Sequence, residues 1–173
     1  MDVNALRPGK STWPMQKLVA AWPFVAGILL CEGVGVVAAV ATQQSVQTWY
    51  PTLEKPFFTP PDGLFAPVWI VLYAAMGVSA ALVWSAGADR RAVHVALVVF
   101  AGQLVLNGAW SVVFFGARSI AGGLVVIALL WLAVAATMRL FFPLRPIAGW
   151  LLAPYLAWVT YALALNAAVW WMN

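Results

Sequence analysis

The sequence is poor in the residues that make water-soluble enzymes. It has one cysteine, one histidine and five acids in 173 residues, and charged side chains make up 8% of it. Soluble domains carry about 25% charge, so there is too little polar surface here to coat a globule in water. A single cysteine, Cys31, excludes a disulfide framework and a cysteine-based metal site. Two glutamates, three aspartates and His94 lie mostly in loops or near the termini, and they form neither a metal-ligand pattern nor a nucleophile–base pair. Glu32 is the only acid inside an apolar run, and a proton relay would need further carboxylates or histidines along its path. The basic residues form no stripe, which excludes a nucleic-acid surface.

What is present is apolar and aromatic. The chain is 65% hydrophobic with 11 tryptophans, and its mean hydropathy is +0.93. About 20 apolar residues cross a bilayer as a helix. Five runs reach that length, at about 18–41, 66–86, 93–115, 119–142 and 147–171. Short connections (GADRR, GARS, PLRP) make neighbouring spans antiparallel. The expected fold is therefore all-α: a five-transmembrane-helix bundle, residues 18–173, after a tail at 1–17. Arg7, Lys10, Lys17, Arg90, Arg91, Arg139 and Arg145 fall on one side, Lys55 and Arg118 on the other. The positive-inside rule then predicts a cytoplasmic N-terminus and an outside C-terminus, with the basic side meeting anionic membrane lipid.

The long first connection, 42–65, holds the run LEKPFFTPPDGLF. A cluster of prolines is normally kept out of the hydrocarbon, yet Trp49, Tyr50, Phe57, Phe58 and Phe65 are too apolar for a solvated linker. The expectation is an ordered lid that folds back over the mouth of the bundle; an aromatic belt at the interface fits the same composition. Polar residues within spans fall on single helix faces: Gln103, Asn107 and Trp110 on the third, Tyr155, Trp158, Ala162 and Asn166 on the fifth, Trp69 and Tyr73 on the second. Rings with a few amides suit a flat apolar ligand. They equally suit amides that join helices.

The runs WYPTLEKPFFTPP, APVWIVLYAAMG, QLVLNGAWSVVFFGAR and PYLAWVTYALALN, in that order on five spans, resemble the TspO family of tryptophan-rich sensory and translocator proteins. The resemblance implies a homodimeric bundle with a ligand pocket closed by the first loop. It implies ligands such as porphyrins, sterols and synthetic benzodiazepine-type compounds, and no obligatory cofactor. It places pocket residues at Tyr50, Trp69, Tyr73, Asn107, Trp110, Trp158 and Ala162; Trp49, Phe58 and Gln103 complete the candidate set. The chain departs from the family pattern at Phe58, Gly63 and Gly122, where tryptophans are usual, and at Ala167 and Trp171, where the sterol motif wants Tyr and Arg. Phe58 keeps a stacking ring but has no indole N–H. The expected function is a membrane receptor or sensor that binds tetrapyrroles without obligatory turnover. Light-dependent oxidative porphyrin degradation is the alternative, and transport of an apolar or amphiphilic small molecule the second. With no long targeting extension, a bacterial inner membrane is the expected location.

Overall fold

A computed structural model describes the chain over residues 13–173, with side chains from residue 21 on. Arg7 and Lys10, with most of the expected tail, lie outside the described residues, and so does the side chain of Lys17. The helices are α1 (Trp13–Thr48), α2 (Phe65–Trp84), α3 (Arg90–Ser111), α4 (Ile120–Leu144), α5 (Pro146–Leu151) and α6 (Ala153–Met172). A π turn, Val112–Gly116, prolongs α3. Together these give five helical segments long and apolar enough to cross a membrane.

Capping explains several boundaries. Asp89 accepts the Ala92 N–H at the start of α3, and Ser119 accepts the Gly122 N–H at the start of α4. The α3–α4 connection turns through Arg118, a non-glycine residue at φ 52°. Three expectations need correction. The first helix continues to Thr48 instead of stopping near residue 41, so the connecting loop spans only 49–64. TQQSVQT contains no glycine or proline, and Thr42 and Thr48 each return a hydroxyl hydrogen bond to the carbonyl one turn back, at 2.8 Å. The fourth helix runs two residues past 142, carrying Pro143 in its last turn. The fifth span is two helices broken at Leu152, because Pro154 has no N–H to offer the Trp150 carbonyl and its ring crowds that position.

Around the bundle α1 packs on α2 and α3, α3 on α4, α4 on α5 and α6, and α2 on α5. Cys31, Met76, Phe100, Phe141, Leu152 and Val159 belong to one continuous core. Ser79 on α2 donates to the Ala148 carbonyl of α5 at 2.7 Å, so its hydroxyl is satisfied in the apolar interior. The outward surface is aliphatic, as a lipid-facing surface must be: Val25, Leu29, Val36 and Val40 on α1, Val125 and Leu132 on α4 are all exposed. Exposed Trp22, Trp84 and Trp150 ring one end and Trp170 and Trp171 the other, the positions that amphipathic indoles take at membrane boundaries.

The closest helix contact is α1 on α2. A Cβ built on Gly77 would sit 2.5 Å from the backbone of Gly27 and Ile28. Only glycine allows that approach. Gly77→Val should therefore cost about 1–3 kcal/mol through overpacking, read as a lowered thermal unfolding midpoint in detergent. Gly33→Ala on the open side of α1, where nothing lies within 4 Å, should leave the midpoint unchanged.

Candidate ligand site

The ten candidate residues fall into three neighbourhoods. The first is a hydrogen-bonded chain in the middle of the bundle. Tyr73 Oη donates to Asn107 Oδ1 (2.5 Å), Asn107 Nδ2 donates to Tyr155 Oη (2.9 Å), and Tyr155 Oη donates to Gln103 Oε1 (2.9 Å). Gln103 Nε2 ends the chain on the sulfur of Met76 at 3.9 Å. Tyr155 and the two amides are at most 2% exposed. Each group uses the polarity its neighbour needs, so α2, α3 and α6 are joined without an orphaned amide in the core. Gly35 of α1 makes room for the Tyr73 ring, since a Cβ there would lie 2.4 Å from it. Trp69 covers the chain, 5.3 Å from Tyr73 and 6.2 Å from Tyr155 between ring centres. Ala162 is buried in the same core.

The second neighbourhood takes the start of the loop. Trp49 and Tyr50 meet the π turn, Trp49 edge-on to Phe114 at 5.7 Å and Tyr50 edge-on to Phe115 at 5.4 Å. Trp110 stacks on Phe114 at 5.7 Å and donates its Nε1 proton to Asn166 Oδ1 at 3.1 Å. Asn166 in turn donates to the Ile120 carbonyl at 3.1 Å. Lys55 Nζ lies 4.1 Å from the centre of the Tyr50 ring. Burial, with help from Asp62 and Tyr161, raises the Tyr50 phenol above its ordinary pKa, so it stays neutral at physiological pH.

The third neighbourhood is a groove of about 590 Å³ between α2, α6 and the loop. Val68 and Leu72 wall one side; Pro154, Ala157, Trp158 and Tyr161 wall the other; Pro60 closes the end. Trp158 alone of the ten candidates lines it. Its ring is 6.0 Å from Phe65 and 5.7 Å from Tyr161. Its indole Nε1 is buried without a hydrogen-bond partner, whereas the other buried polar side chains near it are paired. Phe58 stands at the rim, 37% exposed, its ring 6.3 Å from Tyr161.

Two backbone clamps hold the loop against α6. Asn173 accepts from the Glu54 N–H and donates to the Glu54 carbonyl, both at 3.0 Å. Tyr161 Oη donates to the Phe58 carbonyl at 2.5 Å. Sequence reasoning missed Tyr161 and the Pro154–Ala157 wall, although positions 154, 158 and 161 share a helix face and could have been read with Trp158. Asn173 as a clamp had no signal in the sequence, because its partner is 119 residues away. At Gly122, where the family pattern has tryptophan, a Cβ would meet Ser119 at 2.7 Å and Val113 at 2.9 Å. Among the described residues, no three His, Cys, Asp or Glu side chains are grouped to hold a metal ion.

A sequence profile of the TspO/MBR family matches residues 27–172. The chain belongs to the TspO/MBR family. It is similar to Protein CrtK of Rhodobacter capsulatus, 37% identical over 150 residues, which cover 87% of this chain and 92% of that protein. It is 44% identical to the tryptophan-rich protein TspO of Chlorobaculum tepidum over 109 residues, 63% of this chain and 69% of that one. It is 46% identical to the human translocator protein over 91 residues, 51% and 53% of the two chains. TspO/MBR membership and five spanning helices together make this a multi-pass integral membrane protein of the sensory and translocator class.

The chain of side chains predicts unequal costs for small deletions. Tyr155→Phe removes the hydroxyl that both accepts from Asn107 and donates to Gln103, and should destabilise by about 1–3 kcal/mol. Thr160→Ala, which removes one exposed partner of Trp131, should cost under about 1 kcal/mol. Thermal unfolding in the same detergent compares the two.

Proposed function

We propose that this TspO/MBR protein is a membrane receptor or sensor that binds porphyrin or a similar flat apolar ligand at the α2–α6 groove, without obligatory turnover. The observation that carries the reading is the buried, unpartnered Nε1 of Trp158 on the wall of that groove. A buried N–H without an acceptor costs roughly 1–3 kcal/mol. A ligand whose acceptor atom meets that N–H, with a turn of the indole that uncovers it, recovers that energy, while its ring system covers Val68, Leu72 and Tyr161. The groove volume lies within the range of roughly 300–1,000 Å³ typical of small-molecule sites. The loop, clamped at Glu54 and Phe58, acts as the lid on this side, and the Tyr73–Asn107–Tyr155–Gln103 chain holds α2 and α6, which wall the groove, in register.

The reading of binding without turnover rests on Phe58 beside the groove, a ring without the indole N–H. Titration of the purified protein with protoporphyrin IX should give saturable tryptophan quenching. Trp158→Phe, which keeps a ring and loses the N–H, should weaken binding about tenfold. No saturable quenching in the unaltered protein, or an unchanged affinity in the variant, overturns the reading.

The reading extends to topology and assembly. The arginine-rich end faces the cytoplasm of a bacterial inner membrane, and two protomers meet through the outward face of α3, where Gly102 is open and exposed. Cysteines at two positions check both points. Gly102→Cys should crosslink to a dimer in native membranes, and Arg118→Cys should react with an impermeant thiol reagent from outside only. A monomer, or labelling from the inside, counts against the respective assignment.

A further inference from the structure

A second groove, of about 420 Å³, lies at the opposite end of the bundle from the loop, where α3 begins and α4 ends. Its walls are Val95, Leu140, Pro143 and Leu144, and Asp89 and Arg91 stand with them at its mouth. From Arg91 to Val95 the groove follows one turn of α3, about 6 Å. It therefore passes from charge to aliphatic side chain within the depth of a lipid glycerol region. Val95 and Pro143 are exposed, so the groove opens sideways to the surroundings of the bundle.

The charge at this mouth is lopsided. Arg91 and Asp89 line the groove, and among the described residues Arg90, Arg139 and Arg145 lie near the same ends of α3 and α4, with Asp89 the one acid there. Asp89 also caps α3, accepting the Ala92 N–H at 3.1 Å, so the arginines outnumber it without its charge being removed. Arg139 is exposed five residues before the end of α4, and its long stem allows the guanidinium to reach the headgroup level. Arginine presents a planar fork of donors that matches phosphate oxygens.

We propose that the α3–α4 groove is a binding site for an anionic phospholipid, with an acyl chain along Val95, Leu140 and Leu144 and the headgroup phosphate on Arg91. The aliphatic walls favour a lipid over a soluble phosphate, which would leave them uncovered. The surplus of arginine favours an anionic headgroup over a zwitterionic one, whose amine brings a cation of its own. The site is distinct from the Trp158 groove and does not depend on what that groove binds.

Native mass spectrometry of the full chain in detergent, titrated with phosphatidylglycerol or phosphatidylcholine, tests the assignment. Phosphatidylglycerol should be retained preferentially. Arg91→Gln should weaken that retention about fivefold, the effect of one arginine near an anionic headgroup. Val95→Trp, which fills the groove and keeps every charge, should weaken it as well. Arg118→Gln, at the other end of the bundle, should leave it unchanged. Equal retention of both lipids, or equal loss in Arg118→Gln, reduces the groove to ordinary lipid-facing surface and overturns the proposal. So does displacement of the lipid by glycerol 3-phosphate together with full retention in Val95→Trp, which would indicate a site for a soluble phosphate.

Discussion

Inside a membrane a buried amide must find its partners within the protein, because no water is there to supply them. Asn107 and Gln103 meet that requirement through two tyrosines, and the rest of the bundle is arranged around the result. The Tyr73 ring reaches Asn107 because Gly35 lets it lie against α1. Tyr155 reaches both amides because α6 begins afresh after the break at Leu152, independently of α5. Hydrogen bonds of this kind contribute only about 0.6 kcal/mol each on average in membrane proteins. Their larger effect is on uniqueness: a one-residue slip of α3 against α2 or α6 would strand a carbonyl or an amide in hydrocarbon.

That polar chain also explains where ligand space is found. The amides are joined through Tyr73 and Tyr155, and the buried centre of the bundle is closed around them. The open volume lies to one side, where prolines at 60 and 154 limit how closely loop and helix approach. Trp158 is the contrast. It is as aromatic as its neighbours, but its buried N–H has no acceptor. The loop's aromatic residues divide the same way. Trp49 and Tyr50 serve the packing of the π turn, and Phe58 stands at the rim of the groove. Both grooves thus sit at the margins of the helix bundle, one under the proline-rich connector and one beside the arginines.

Much of this was legible before any coordinates. Apolar run length marked all five spans, and the order of four motif runs pointed to the TspO/MBR family, which the profile match over residues 27–172 establishes. Helix-face spacing correctly grouped Gln103 with Asn107, because residues four apart on a helix are neighbours whatever the fold. The same reasoning erred where hydropathy and helicity part company. TQQSVQT is polar enough to look like a loop, but its backbone has no reason to leave the helix until the Tyr50–Pro51 turn. It was also blind to Asn173 holding Glu54, a pairing across nearly the whole chain.

Composition and run length by themselves determined that this is a bundle of five spans, because apolar runs of about 20 residues cross a bilayer as helices; the order of the motif runs added the resemblance to the TspO/MBR family. Which of the in-span polar groups would be spent on one another, and which left over, was decided only in three dimensions. Satisfaction of a hydrogen bond depends on distances of a few tenths of an ångström between helices far apart in sequence. Asn107 and Trp158 read alike along the chain; folded, one is hydrogen-bonded through both its amide atoms and the other lines a groove with its indole N–H buried and unpartnered.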